Sequence, residues 1–172
     1  GDALTPDAVA TLPRPGTTSP GSIRFGPRGH VTYLVARDGA TLTRGLFATD
    51  PARPGERLEL AGSAADEGSL SLEEKLRRER ARQYNTGVAS YAWAANADRM
   101  LVPLDGALYV LDGVGAPPRT VVAAPAPGAP PLLDAKISAD GRVVAFVQGG
   151  DVYAARADAA GARAPAAPAR CT

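Results

Sequence analysis

The chain has 172 residues, with 19 basic and 18 acidic residues and one histidine, for a net charge of +1. That length suits one domain with a sizeable core, and the near-neutral balance argues against a general binder of nucleic acid or of an anionic membrane. No run of about eighteen apolar residues occurs, so no transmembrane helix is expected; Cys171 is alone, which excludes a disulfide framework or a cysteine zinc site within one chain.

Glycine and proline are abundant, at 19 and 16 residues, while aromatics make up 5%. Such a chain is rich in turns, which disfavours a helix bundle. It opens on Gly1 and shows no basic segment followed by an apolar one, so a processed or excised piece is expected.

The first predicted strands are Ile23-Arg24-Phe25 and Val31-Thr32-Tyr33-Leu34, split by a turn at Gly26-Pro27-Arg28-Gly29. His30 stands at the mouth of the second strand, where the ordinary reading is a polar strand-start residue. Leu46-Phe47-Ala48-Thr49-Asp50 and Arg57-Leu58-Glu59-Leu60 supply two more apolar strands.

Residues 61–86 then interrupt the pattern. Ser71 with Glu74 forms a capping box, and Glu73 with Arg77 and Glu74 with Arg78 are favourable helix pairs. Acids lead and bases follow, as the helix dipole favours. A charged α-helix is predicted, with a thin apolar face of Leu72 and Leu76. Two readings stand: a solvated surface helix, or an arm presenting arginines to a partner, a second subunit or an anionic group.

Beyond the insertion the chain repeats itself. Tyr91-Ala92-Trp93 through Leu101-Val102 and Gly106-Ala107-Leu108-Tyr109 lie over Ala135-Lys136-Ile137 through Ala145-Phe146 and Gly150-Asp151-Val152-Tyr153, at a constant offset of 44 residues. The strands from Ile23 to Asp50 are a looser third copy, with one residue fewer in the first turn. Asp-Gly and Gly-Gly turns suit tight hairpins, and Thr120-Val121-Val122-Ala123 adds a fourth strand to the middle unit. The final unit lacks a clear fourth strand.

Four antiparallel strands recurring every ~40–45 residues are the pattern of a β-propeller blade. The expected fold is all-β: a partial β-propeller of about three four-stranded blades with one inserted charged helix, a β-sandwich being the alternative. The divisions are a first blade over 1–60, the arginine-rich arm over 61–86, a second blade over 87–133, a partial third blade over 134–157, and a disordered Ala/Pro-rich tail over 158–172. Propellers close with about four to eight blades, so three are expected to belong to a larger protein or to be completed by something else.

Chemistry is sparse. One histidine and no Gly-x-Ser-x-Gly elbow leave no Ser-His-Asp triad, and no catalytic residue is assigned. No metal-spaced cluster or phosphate loop is present, so neither metal nor cofactor is expected. Tyr91, Trp93 and Met100 fall on apolar repeat positions and are read as strand core.

The run Leu70-Ser71-Leu72-Glu73-Glu74-Lys75-Leu76-Arg77-Arg78-Glu79-Arg80-Ala81-Arg82, followed by Gly87-Val88-Ala89-Ser90-Tyr91-Ala92-Trp93, resembles the dipeptidyl peptidase IV family of the prolyl oligopeptidase clan. It is most similar to bacterial members and to the dipeptidyl peptidase eight and nine branch. Leu104 to Asp112 and Asp134 to Val147 are similar to the family's blade strands, and the likeness runs over residues 25–153. The arginine-rich helix joined to Gly-Val-Ala-Ser-Tyr is its specific part; blade motifs are shared by many propellers.

The resemblance implies a serine exopeptidase that removes X-Pro or X-Ala dipeptides from peptide N-termini. It implies an eight-bladed propeller capping a C-terminal α/β-hydrolase domain that carries the catalytic Ser, Asp and His. A Glu-Glu pair would hold the free amine and an arginine of the inserted arm would contact the peptide. Position relative to Gly87 favours Arg82 for that contact, with Arg80 and Arg78 as fallbacks. Glu73-Glu74 belongs to the helix cap, and the expected pair falls beyond Tyr153, where this sequence has only its Ala/Pro tail. The chain alone is therefore expected to be inactive.

The implied partners are a peptide with a free N-terminus, the hydrolase domain and a second copy in a homodimer, with neither nucleic acid nor membrane. Bacterial relatives imply a periplasmic or secreted location, a cytoplasmic one being compatible. The reading from another class is a non-catalytic propeller module for protein interaction.

Overall fold

Alternating apolar strands joined by glycine turns fold as the repeat requires. The computed structural model describes residues 19–37, 43–62, 86–157 and 169–171, and these are all-β, in three antiparallel four-stranded sheets. The first sheet runs β1 (Gly21–Phe25), β2 (Val31–Ala36), β3 (Thr43–Thr49), β4 (Leu58–Ala61); a short β5 (Thr86–Gly87) lies parallel beside β3. The second runs β6 (Ala92–Trp93), β7 (Met100–Leu104), β8 (Ala107–Leu111), β9 (Arg119–Val122). The third runs β10 (Leu133–Ile137), β11 (Val143–Gln148), β12 (Asp151–Arg156), β13 (Ala169–Arg170). The predicted inserted helix lies outside the described residues.

The 44-residue offset holds pair by pair. Ala92 opposes Leu101, and Lys136 opposes Ala145; Leu101 opposes Val110, and Ala145 opposes Ala154. The β7–β8 hairpin turns on Asp105 and Gly106, both at positive φ, and the β11–β12 hairpin on Gly149 and Gly150, likewise. Two successive left-handed residues give the turn whose twist matches the flanking strands. Irregularities recur too. The ladder shifts between Leu46 and Phe47 in the first sheet and between Leu108 and Tyr109 in the second. In the first and third sheets the opening strand is bulged around Ser22 and Asp134, both non-glycine residues at positive φ.

The sequence reading leaves the third unit without a clear fourth strand, and the structure corrects this. Ala169 and Arg170 pair with Ala154 and Tyr153, as Arg119 and Thr120 pair with Val110 and Tyr109. Cys171 adds an N–H donated to the Val152 carbonyl at 2.8 Å. The strand comes 50 residues after its counterpart, not 44, and is only two residues long, so the repeat offset does not find it. Residues 158–168 lie outside those described.

Burial explains the strand sequences. Met100 and Val102 join Leu34, Leu46 and Leu60 of the first sheet in one core, with Val88, Tyr91 and Leu111. Leu101, Leu108 and Val110 join Val144, Phe146 and Ala155 of the third sheet in another. The second sheet is thus covered on both faces, which is why Met100-Leu101-Val102 is an unbroken buried run. β11, at the end of the stack, alternates instead, with Val144 and Phe146 buried.

One polar group is deep in the first core. Thr32 is fully buried. Its Oγ1 accepts the Trp93 indole N–H at 3.0 Å and lies 3.0 Å from the Tyr91 hydroxyl, which donates to the Ser22 carbonyl at 2.7 Å. Burial pushes the Tyr91 phenol above the usual 10.0. A buried hydroxyl costs free energy unless bonded, and these bonds tie the opening strands of two sheets together. The Trp93 ring lies on Gly26, where an added Cβ would stand 2.9 Å from a ring carbon. Tyr91 and Met100 are core as expected, and Trp93 packs against it half-buried.

Thr32→Val keeps the shape and removes the hydroxyl. It is expected to cost about 1–3 kcal/mol in urea unfolding, the penalty for the Trp93 indole N–H left without its acceptor; an unchanged midpoint would contradict the role given to Thr32.

Candidate functional site

Arg78, Arg80 and Arg82, the sequence-predicted substrate contacts, lie outside the described residues. The two ends of the segment that carries them are placed. Ala61, at the end of β4, opposes Leu46, and Thr86, opening β5, opposes Thr43. The insertion therefore leaves and rejoins the sheet on the same outer edge of β3. Its return is fixed by Gly87, at φ +81, where a Cβ would stand 2.3 Å from the Arg44 carbonyl oxygen. Val88 then donates its N–H to that oxygen at 2.8 Å. Only glycine gives both the left-handed backbone and that approach.

A polar seam runs along the sheet ends that carry the first turn of each repeat. Arg28 pairs with Asp98 at 2.7 Å, joining first and second sheets. Arg99 pairs with Asp112 and donates to the Gly141 carbonyl at 2.9 Å, and the Asn96 N–H donates to the Ala139 carbonyl at 2.7 Å, joining second and third. His30 lies at this end, its carbonyl accepting the Gly26 N–H at 2.8 Å. Among the described residues no cluster of His, Cys, Asp and Glu has the makings of a metal site, and no helix is long and apolar enough to cross a membrane. The seam is chemically a set of ion pairs and turn bonds, and offers no nucleophile beside a base.

The end faces of the stack are a different matter. Six large apolar side chains are exposed among the described residues, and five sit on the outward faces of the first and third sheets: Ile23, Phe25, Leu133, Val143 and Val152. Repeat-equivalent positions show why. Tyr91, the counterpart of Ile23, is 4% exposed in the middle of the stack, whereas Ile23 is 63% exposed. Leu108, the counterpart of Val152, is 1% exposed, against 38% for Val152. The same side-chain positions are core where another described sheet lies against them and exposed where, among the described residues, none does. Large exposed apolar patches mark interaction sites. The sequence reading names none of these residues as exposed; the repeat offset applied to burial identifies them.

No family model matches the chain, and no curated protein matches it.

In the β10–β11 turn, a hydrogen bond from the Ser138 hydroxyl and one from the Arg142 N–H hold the Asp140 carboxyl below 3.8. A lowered native value adds stability that is present above pH 3.8 and is lost as the pH falls through the native value. Carboxyl NMR titration is expected to place Asp140 below the ordinary aspartate range, and Ser138→Ala to move it upward; an unmoved titration would contradict the assignment.

Proposed function

We propose that the three sheets are consecutive blades of a β-propeller, and that this propeller is the substrate-gating part of a serine-type dipeptidyl aminopeptidase. The observation that carries the blade reading is the second sheet, packed on both faces between two sheets of the same register. A β-sandwich has one core between two sheets; a propeller has a core between every successive pair. The peptidase reading rests on the arginine-rich run from Leu70 to Arg82 followed by Gly87-Val88-Ala89-Ser90-Tyr91, and it is supported by both ends of the insertion lying on one strand edge, as an arm requires.

The division of labour follows. A dipeptidase measures two residues from a free N-terminus. Carboxylates hold the ammonium, and a guanidinium, with its planar fork of donors, holds a peptide carbonyl. Arg82 is assigned that contact, with Arg80 and Arg78 beside it as alternatives. The propeller roof restricts entry to unfolded peptide ends and limits water at the reaction. Catalysis belongs to a Ser-Asp-His triad on a hydrolase domain, since His30 is the single histidine of these residues and stands at a strand start. The proposed setting is the bacterial periplasm or the exterior. An interaction module without peptidase activity is the competing reading, favoured by the exposed apolar end faces.

The test is the coding sequence past Thr172, read in all frames, together with activity. A Glu-Glu pair within one blade's length, then a Gly-x-Ser-x-Gly elbow and late Asp and His, is expected. In the protein so encoded, Arg82→Ala is expected to raise KM for Ala-Pro chromogenic substrates by about tenfold or more, the loss of a charge-assisted hydrogen bond. The 172-residue chain alone is expected to release no chromophore. Absence of those motifs in every frame, or turnover by the clean chain alone, would overturn the peptidase reading.

A further inference from the structure

We propose that Arg44 is a binding site for a carboxylate, at the rim of the junction between the first and second sheets. The site is built from Arg44 and its neighbours alone, so it stands apart from the peptidase reading above and goes beyond it.

Each sheet has two faces. The back of the first sheet meets the front of the second, and the back of the second, with Leu101 and Val110, meets the front of the third. Strand residues alternate between faces, so Thr32, Leu34 and Ala36 on β2 share the back of the first sheet with Ala48, Leu46 and Arg44 opposite them on β3. Leu34, Leu46 and Ala48 are core there. Arg44 ends the row, at the sheet end where the insertion leaves after Ala61 and returns at Thr86.

The guanidinium in that place lacks what such a group requires. Arg44 is half-buried, and its Nε is buried without a hydrogen-bond partner, the single side-chain nitrogen or oxygen in that condition among the described residues. A buried donor left unmade is costly, and more so on a charged group. Arg37, one residue past Ala36 and on the other face, shows the ordinary arrangement. Its Nε donates to the Glu59 Oε1 at 2.7 Å, and its Nη2 stands 2.6 Å from the same oxygen. Glu59 lies opposite Phe47 on the front, across the sheet from Arg44, and is already held. Asp98 and Asp112 stand at the far ends of the sheets, paired with Arg28 and Arg99. Two arginines thus flank one sheet end, one with a carboxylate supplied by the fold and one without.

The surroundings select the ligand. Ala36 and Leu46, beside Arg44 on the same face, are buried and apolar. One positive charge against apolar neighbours matches one negative charge carried on an organic group, whereas a phosphate dianion calls for further donors. No bond among the described residues holds the guanidinium, so rotation about its last torsions can turn Nε–H and an Nη–H toward the two oxygens of a carboxylate. That carboxylate comes either from a small organic acid or from an acidic side chain of a peptide.

The test is proton–nitrogen NMR of the Arg44 Nε–H in the 172-residue chain, assigned through its own side chain. Sodium acetate is titrated against sodium chloride at equal ionic strength, which removes the effect of screening. A blocked Gly-Glu-Gly peptide is titrated against its Gly-Gln-Gly counterpart. The Arg44 signal is expected to move saturably with acetate and with the glutamate peptide, and to stay with chloride and the glutamine peptide. Tighter binding of the peptide than of acetate assigns the site to peptides, and equal binding assigns it to small carboxylates. A signal that no carboxylate moves overturns the proposal, as does one that chloride moves equally. So does a signal already bonded without ligand and unmoved by acetate, which means that the chain fills the site itself. The wild-type titration decides alone; beside it, Arg44→Gln is expected to weaken acetate binding by about tenfold or more, read from the backbone amides of Ala36 and Leu46.

Discussion

A β-sheet that is apolar on both faces has to be covered on both faces. The second sheet of this protein is such a sheet, and the arrangement of the other two follows from it. Each residue of its central strands alternates sides, so Met100 and Leu101, adjacent in sequence, belong to different cores. Register is therefore not free. A slip of one residue would exchange the two cores, and the tight turn at Asp105-Gly106 between β7 and β8 helps prevent it.

Around that constraint the polar groups take up supporting positions. Thr32 occupies the back position that Leu101 fills in the next repeat, and uses it to bind the tyrosine and tryptophan of the following strand rather than to add apolar area. The Arg28–Asp98 and Arg99–Asp112 pairs run along one end of the sheets. Exposed ion pairs add little stability individually, about 0–1 kcal/mol. Their value here is directional: Arg28 reaches from a turn of the first sheet to a turn of the second, and Arg99, held by Asp112 of its own sheet, reaches the Gly141 carbonyl in a turn of the third, which favours one angle between neighbours.

How much of this was legible in the sequence depended on local chemistry. The hairpins were legible because their turn residues and strand periodicity agree, and the offset of 44 residues carried the register of β6 to β8 onto β10 to β12 without error. The last strand was not legible. Ala169-Arg170 has no β-branched or aromatic residue, and only its partners on β12 make it a strand. β5 was missed because it is only two residues long and contains a glycine: Thr86-Gly87 is a strand only because it lies beside Thr43 and Arg44. Thr32 reads as an ordinary strand residue, because its role depends on side chains about 60 positions away. The arginines that the sequence offers as a site, Arg78, Arg80 and Arg82, lie outside the described residues. The arginines of the arm stand out by composition, whereas the open end faces appear only when equivalent positions are compared for burial.

The measurement closest to the centre of this account is a side-chain NOE map of the 172-residue chain. The account requires Leu34, Met100 and Val102 to share one network of contacts, and Leu101, Val110 and Phe146 to share another, with the second sheet as the wall between them. A single network in which Met100 and Leu101 see the same neighbours would contradict it, since that is the pattern of two sheets around one core.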